Sequence, residues 1–409
     1  MFKKFLSDRS GNFALGLSLI MVPVMGAVAG VVEFSSTNRE ASQLQSSLDI
    51  GLFAAAARYD RNLTSDELDA YATKIFETNL ASAGIAGSDF NYLGATEDAS
   101  GNVTLSAVGK KPFIGNITSM FNGTIVRNAA VVREIGGTAC VLALSQTASR
   151  AIKLSGTTDV TLASCVLAAN STAADSVDRS GSANLSADCI QTAGGTYGIT
   201  GDARVALDCG NPRENSFRTK DPLASLVPPS GVGCANLNIP GGKGLKSINP
   251  GVYCNNNLTI NGGSKVRFNP GTYVFKGTDI SILGGAEVTG TDVTIFLFSG
   301  AQLNIAANAL FTISAPTTGL YSGVAIYSEA ANPVVIKLNG GSTQSINGFI
   351  YNPKGSIEFS GNSATASDQC IRLVADTITM TGKSALKADC STELGGKDIK
   401  TVKQIRLVN

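Results

Sequence analysis

The sequence contains no histidine and no tryptophan, and only 15% of its 409 residues are charged. Without histidine, the chain lacks the usual general base near neutral pH, the partner that activates serine and cysteine nucleophiles, and the commonest metal ligand. The formal net charge is +1, so no electrostatic surplus is available for binding nucleic acid. The composition predicts a non-enzymatic protein without catalytic residues, cofactor or metal site, and without a nucleic-acid partner.

Aromatic residues are also scarce, at 6%, whereas the chain has 45 glycines. This balance favours short strands and many turns over a helical bundle. The eight cysteines include no Cys-x-x-Cys pair, so zinc ribbons and thioredoxin-like motifs are unsupported and disulfide bonds are the natural interpretation. Disulfides persist in oxidising compartments, so the composition predicts an exported, mainly β protein.

One long apolar run stands near the N-terminus. Residues 13–34 carry a single charge, Glu33, at their far end, and a helix of this length spans roughly 30 Å of hydrocarbon. The run continues into helix-compatible sequence instead of a small-residue cleavage site, which predicts an uncleaved transmembrane helix. Lys3, Lys4 and Arg9 precede it, so residues 1–12 are expected in the cytoplasm and the rest outside the bacterial inner membrane.

Residues 35–137 have the pattern of a small α+β module. Leu44, Leu48 and Leu52 recur at helical spacing, which gives the continuing helix an apolar stripe. That stripe can dock on a partner's helix or on the chain's own next helix, which the capping-box sequence 64–67 is expected to open. Strands are predicted at residues 103–108 and 124–135, around a short segment at 112–121.

From Thr138 onward the sequence is repetitive. A nine-residue unit has apolar residues at its first, third and last positions and glycine near its middle. Copies start at these residues, of which the last two are weaker: Ile152, Leu258, Ile280, Ile357, Ile378, Leu303 and Ile336. Successive copies within a run are 21 to 23 residues apart, as expected for one coil of a solenoid. Residues 138–409 are predicted to form a right-handed parallel β-helix, with excursions near 211–246 and 314–332.

The solenoid also predicts the disulfide pairs. Residues one coil apart lie about 4.7–4.9 Å from each other, which suits the Cα separation of a disulfide, and cysteines several coils apart cannot meet. Cys254 and Cys370 are separated by 116 residues, so Cys370 has only Cys390 within reach. The remaining six cysteines then pair as neighbours. The expected bonds are Cys140 with Cys165, Cys189 with Cys209, Cys234 with Cys254, and Cys370 with Cys390.

Several segments resemble a known family. Residues 9–14 (RSGNFA), the apolar span, residues 44–49 (LQSSLD) and the alanine run 54–57 resemble the N-terminal region of TadE/TadG-like proteins of the bacterial tight-adherence (Flp pilus) assembly system. The downstream repeats, with residues 221–224 (DPLA) and 269–273 (NPGTY), resemble the β-rich C-terminal region of some members. The resemblance implies a structural or assembly component of the pilus, or a surface adhesion factor tied to it. It also implies pilin-like partner subunits that contact the N-terminal helix.

Four carboxylates form the basis of an alternative function. Some β-helix proteins cleave polysaccharides with clustered carboxylates on one outer face, and Asp279, Glu287, Asp292 and Glu358 are the candidates here. Such a pair needs a separation of about 5–9 Å, which spacing alone does not supply, so solvation of strand surfaces is the favoured role. The alternative is a membrane-tethered carbohydrate-active enzyme. Exposed Asn, Thr and Ser rows are a further candidate surface, for a glycan or a partner protein.

Two further features have ordinary interpretations. Glu33 is expected at the headgroup edge, where its charge is solvated. Residues 178–182 (DRSGS) match the letters of an Asp-x-Ser-x-Ser metal motif. They follow a polar stretch rather than an apolar strand, so no metal site is assigned to them.

Overall fold

The computed structural model describes residues 12–59, 64–85, 87–114, 122–239, 242–254, 257–306, 308–329, 331, 333–339, 343–360, 364–365, 370–383, 385–389 and 398–408. The chain divides into two compact units. Residues 1–134 and 405–409 form the first, and residues 135–404 form the second.

The first unit has two helices and an antiparallel sheet. Helix α1 covers Asn12–Arg58 and α2 covers Ser65–Ser82. The strands are β1 (Asp89–Glu97), β2 (Val103–Ile114) and β3 (Asn122–Ala143), paired in the order β1–β2–β3. The predicted strands thus belong to β2 and β3, and β1 was not predicted. The segment expected at 112–121 is the end of β2 up to Ile114, and residues 115–121 lie outside the described residues.

Helix α2 begins at the predicted capping box. The Thr64 hydroxyl accepts a hydrogen bond from the backbone N–H of Glu67, and the Glu67 carboxylate accepts one from the backbone N–H of Thr64. Two of the N–H groups that a helix start leaves without an intrahelical partner are satisfied in this way. Gly51 lets α1 approach α2, because a Cβ there would lie 3.1 Å from the Ala72 carbonyl oxygen.

The second unit is a parallel β-solenoid of about ten turns, which confirms the predicted fold class. Its strands after β3 are β4 (Ile152–Leu154), β5 (Asp159–Ala169), β6 (Val177–Arg179), β7 (Asn184–Thr192), β8 (Thr196–Tyr197), β9 (Val205–Leu207), β10 (Leu245–Ile248), β11 (Gly251–Tyr253), β12 (Asn257–Ile260), β13 (Lys265–Phe268), β14 (Gly271–Lys276), β15 (Asp279–Ile282), β16 (Glu287–Gly290), β17 (Val293–Phe298), β18 (Gln302–Ile305), β19 (Leu310–Ser314), β20 (Val324–Ser328), β21 (Val335–Asn339), β22 (Thr343–Ser360), β23 (Ala364–Thr365), β24 (Ile371–Met380), β25 (Ala385–Asp389) and β26 (Ile399–Val408).

The nine-residue units stack in register. Their first residues form one continuous column in the order Leu258, Ile280, Leu303, Ile336, Ile357, Ile378 and Ile152. All of these side chains are buried, because residues at alternate positions of a strand point to the same face. The repeat spacing therefore identified the coils, including the two weaker copies.

The stacking order differs from the expected chain order. The coil containing β24 and β25 pairs on one side with β22 and β23, and on the other with β3, β4 and β5. Thus residues 139–207, here called the N-terminal block, stack beyond the end of residues 245–389, the C-terminal block. Backbone pairing depends only on register, so the repeat pattern could not reveal which coil follows which.

Residues 211–239, here called the strap, return along the stack from β9 to β10. Ser216 N–H donates to the Thr192 carbonyl, and the Tyr351 hydroxyl donates to Asp221 at 2.8 Å. At the far end Ala235 forms an isolated bridge with Tyr253. The excursion predicted near 211–246 is this return path, although β10 begins at Leu245, one residue before the expected end.

The excursion predicted at 314–332 is interrupted by a strand. Val324–Ser328 forms β20, which pairs with β17 and β22. The sequence analysis did not predict this strand, because its apolar run is short and lies between turn-rich segments. The excursion is therefore two loops, one on either side of a regular coil position.

One sheet of the solenoid has apolar side chains packed against both of its faces. The interior is filled by the inward columns, and a second cluster lies outside β14, β17, β20 and β24 and includes Leu223 of the strap. Every residue of β17 is buried. Its continuous apolar sequence suits a strand that is covered on both faces.

A local motif precedes two neighbouring strands of this face. In both copies of the Asn-Pro-Gly-x-Tyr sequence the tyrosine hydroxyl donates to the carbonyl of the asparagine four residues earlier: Tyr253 to Asn249 at 2.6 Å, and Tyr273 to Asn269 at 2.7 Å. The repeat at this position is therefore a turn motif. The two strands are not aligned by this motif: Gly251 pairs with Tyr273 and not with Gly271, a shift of two residues.

Candidate membrane anchor and solenoid surfaces

The first half of α1 exposes an apolar surface. Val22 is 74% exposed and Phe34 is 70% exposed, and similar values apply to most apolar side chains between them. Among the described residues, one helix is long and apolar enough to cross a membrane, and it is this N-terminal one. No part of the chain that the structure describes covers these side chains.

Glu33 departs from its expected role. Its side chain is buried, with 7% exposure, between neighbours that are at least half exposed. Its carbonyl oxygen accepts a hydrogen bond from the Thr37 hydroxyl at 2.9 Å. The folded chain thus covers the Glu33 side chain, whereas the sequence predicted a solvated carboxylate at the headgroup edge.

The second half of α1 packs inside the first unit. Leu44, Leu48 and Leu52 are fully buried, in one cluster with side chains of α2 and β2 such as Phe76 and Leu105. The predicted apolar stripe thus docks on the protein's own next helix and sheet, which decides between the two alternatives. An ion pair between Lys111 and Glu40, at 2.6 Å, ties β2 to α1 at the edge of this core.

Three of the four predicted disulfides are present. Cys140–Cys165, Cys189–Cys209 and Cys234–Cys254 have Cα separations of 5.5, 5.3 and 5.4 Å, as expected for neighbouring coils. Cys370 is also disulfide-bonded, and Cys390 lies outside the described residues.

One premise of the pairing argument was nevertheless wrong. Cys370 directly precedes β24, which pairs with the end of β3 through Leu373 and Val141. Cys370 therefore lies close to the coil of Cys140, although it was expected several coils away. Cys165 and Cys189 also lie on neighbouring coils, but Cys165 belongs to the interior cluster and Cys189 to the outer one. Their side chains leave opposite faces of the sheet.

Two of the four candidate carboxylates lie on distant coils, and a third is paired with a lysine. The in-register neighbours of Asp279 are Asn257 and Gln302, and those of Glu358 are Lys337 and Thr379. Asp279 and Glu358 are three coils apart, or about 14 Å along the stack. Glu287 pairs with Lys265 at 2.8 Å. Asp292 occupies an exposed turn with φ of 57°.

The Asp-x-Ser-x-Ser segment is occupied by ion pairs. Arg179 is buried and its guanidinium lies 2.8 Å from Asp202, while Asp178 lies 3.5 Å from Arg150. Within the part of the chain that the structure describes, no three His, Cys, Asp or Glu side chains are grouped so as to hold a metal ion.

Polar side chains form ladders on an uncovered face of the stack. The Asn339 amide donates to Asn304 at 2.6 Å, and the Ser360 hydroxyl donates to Asn339 at 2.8 Å. These residues lie on successive coils, so donors and acceptors repeat about every 4.8 Å. Such a regular array can hydrogen-bond to an extended polar ligand.

The strap is anchored by a partly buried carboxylate. Asp221 accepts the Tyr351 hydroxyl hydrogen bond, and Tyr351 packs on Tyr327 with ring centroids 4.9 Å apart. Burial is the main cause that raises the pKa of Asp221, against the lowering effects of its hydrogen bonds and of Lys220. Burial and the adjacent Asp221 raise the pKa of Tyr351 in turn.

A second buried charge lies at the junction of the two blocks. Arg372 is fully buried, lies 2.7 Å from Asp398, and stacks 5.5 Å from the centroid of the Phe349 ring. Sequence reasoning missed both this pair and the Asp221–Tyr351 contact. Arg372 and Asp398 are 26 residues apart and Asp221 and Tyr351 are 130 residues apart, and no local sequence pattern marks either pair.

Comparison with known proteins gives no assignment: no family model, no curated protein and no solved structure matches this chain.

Proposed function

We propose that this chain is a membrane-anchored structural or assembly component of a bacterial tight-adherence pilus, or of a surface adhesion factor associated with that pilus. The observation that carries the proposal is the division of α1. One continuous helix exposes apolar side chains over its first half and packs into a small α+β module over its second half. A pilin-like subunit needs this combination, because the exposed half must be buried in lipid or against other helices.

Two further features support the proposal. Disulfides between neighbouring coils suit a protein that folds outside the cytoplasm. The basic residues before the span favour a cytoplasmic N-terminus in the inner membrane and a periplasmic or extracellular solenoid. In this arrangement the helix contacts other pilin-like or assembly subunits, and the polar ladders face a surface glycan or protein. The four dispersed carboxylates do not favour a carbohydrate-active enzyme.

Topology and fractionation test the anchor. A reporter that is active only in the periplasm, fused after Gly137, should be active, and the full chain should fractionate with the inner membrane. Val24→Lys together with Val28→Lys should abolish both the reporter activity and the membrane fractionation, since each charge at the centre of a span costs about 2.5–3.5 kcal/mol. Ser36→Lys with Asn38→Lys is the matched control on an exposed part of the same helix and should have no effect.

A mature form that begins at or near Ser35 would show that the helix is a cleaved signal sequence. The role in the pilus is tested separately. Disruption of the chain should reduce pilus-dependent surface attachment, and the wild-type chain should restore it while the Val24→Lys, Val28→Lys variant should not. Normal attachment without the chain would contradict the proposed function.

A further inference from the structure

The two blocks of the solenoid dock on each other without a covalent bond in the described residues. Backbone hydrogen bonds join them, among them Leu144 N–H to the Ala375 carbonyl at 2.7 Å and Ile378 N–H to the Ala151 carbonyl at 2.8 Å. Cys140–Cys165 lies within the N-terminal block, and Cys189–Cys209 ties that block to the residues just after β9. Cys234–Cys254 ties the end of the strap to the C-terminal block. Each block is therefore stapled internally, and among the residues that the structure describes no disulfide crosses the junction.

The strap changes partner at a single residue. Before Lys220, Ser216 and Thr219 hydrogen-bond to the N-terminal block, Thr219 through the Asn170 side chain at 2.7 Å. After Lys220, Asp221 bonds to Tyr351 of the C-terminal block, and Gly231 accepts a hydrogen bond from Lys276. A rotation about Lys220 would let the blocks separate while each keeps its own part of the strap.

The order of synthesis leaves the junction open for a long interval. The N-terminal block is complete once β9 is made, but its partner strands β24 and β25 follow almost at the end of the chain. Until then β4 and β5 present unpaired edges, which are templates for pairing with another chain. A second copy carries the same β24 and β25, with the same register and the same apolar columns.

The far end of the stack is protected against such pairing. In terminal strand β10, Lys246 occupies the column that Val266 continues in the next coil, and an inward-pointing charge is a known device that blunts a sheet edge. Leu237 and Ile239 of the strap also pack against the core. Exchange is therefore expected at the junction between the blocks and not at this end.

We propose that the chain forms domain-swapped assemblies in which the N-terminal block of one copy docks on β24 and β25 of another, with the hinge at Lys220. This inference rests on the proposed function in one respect, since a membrane anchor raises the local concentration of copies. The swapped form remakes every coil-to-coil contact of the single chain. The contacts of the C-terminal strand, such as Gln191 with the Val402 carbonyl, are then made between copies. A non-reciprocal swap adds copies in an open-ended row.

Single-cysteine variants of the full chain test the swap. Lys153 pairs in register with Thr379 across the junction, and both side chains are partly exposed. Lys153→Cys and Thr379→Cys are placed on two differently tagged copies, which are co-expressed, solubilised in detergent and mildly oxidised. A disulfide-linked heterodimer is expected, severalfold above the control pair Ser281→Cys and Asn304→Cys, whose register contact lies inside the C-terminal block. Four Gly/Ser residues inserted after Lys220 should lower the heterodimer yield, because a longer hinge favours the closed chain.

Three outcomes would overturn the proposal. One is a link that forms only when Lys153→Cys and Thr379→Cys are in the same chain. Another is equal linkage of the test and control pairs, which would indicate collision in the membrane. The third is no link in either arrangement, which would contradict the register itself. The readout uses solubilised protein from any cell fraction, so failure of the swap is distinguishable from failure of the anchor.

Discussion

Ile378 pairs in register with Ile152, although more than half of the chain separates them in sequence. This contact joins the last coil of the C-terminal block to the first coil of the N-terminal block, and it is why the strap must cross the face of the stack. Gly156 and Gly382 meet at the adjoining corner, where Gly156 has φ of 78° and a Cβ on it would lie 2.9 Å from the Gly382 carbonyl oxygen. The junction is thus packed as closely as a junction between successive coils.

The Lys246→Val variant should associate end to end. The substitution continues the apolar column of Val266 to the edge of the stack and removes the inward charge that opposes strand addition. Sedimentation velocity should show a larger concentration-dependent increase in oligomer size for the variant than for the wild type at the same concentrations. Lys243→Val removes an exposed charge outside the strand and is the control, and equal association of both variants would assign the effect to net charge.

The Arg372→Ala variant should be strongly destabilised. The substitution leaves Asp398 without its buried partner, and breaking a buried ion pair on one side costs about 3–5 kcal/mol. Urea unfolding, monitored by circular dichroism, should show a much lower midpoint urea concentration than in the wild type. Replacing both partners, Arg372→Met with Asp398→Leu, should restore much of it. Arg406→Ala breaks an exposed pair with Glu134 and should cost about 0–1 kcal/mol; a similar loss in both single variants would contradict the buried-pair argument.

The docking of the strap on the solenoid should be more stable in acid than at neutral pH. Burial raises the pKa of Asp221, so the folded state holds this proton more tightly than the unfolded state. A raised pKa contributes stability below the unfolded value, about 3.9, and that contribution is lost as the pH rises through the folded value. The groups that face Asp221 are Tyr351, Tyr327 and Lys220.

The Asp221→Asn variant should remove this dependence, because asparagine still accepts the Tyr351 hydrogen bond but carries no charge. Limited proteolysis of the strap at several pH values, corrected for protease activity, provides the comparison. The difference between variant and wild type should grow as the pH rises from 4 towards 7, since the carboxylate is then charged. Tyr351→Phe, which removes the hydrogen bond that lowers the Asp221 pKa, should enlarge the pH dependence. Strap cleavage that is independent of pH in the wild type would refute the argument.

Several elements were predictable because their signals are local. The apolar span, the Thr64 capping box and the nine-residue units each occupy a few consecutive residues whose pattern sets the backbone conformation directly. The coil register also followed, because inward positions must be apolar in every copy. Strand β1 was missed because its alternation is weak: its even positions are only partly buried.

The candidate surfaces were predictable to a lesser degree. The apolar composition of the first half of α1 predicts its exposed apolar surface. The burial of Glu33 could not be predicted, because the residues around it in sequence do not show what covers its side chain. The three-coil spacing of Asp279 and Glu358 agrees with the repeat units that start at Ile280, Leu303, Ile336 and Ile357.

The sequence by itself determined that the chain has an apolar helix, a small α+β module and a β-solenoid whose coils are about twenty residues long. It also determined which cysteines pair in three cases, because neighbours in sequence are neighbours on adjacent coils. Only the tertiary structure decided the order of the coils, the path of the strap and the side-chain pairs Arg372–Asp398 and Asp221–Tyr351. The physical reason is that every coil presents nearly the same apolar columns and the same backbone edge, so the repeats specify how two coils fit together but not which two meet.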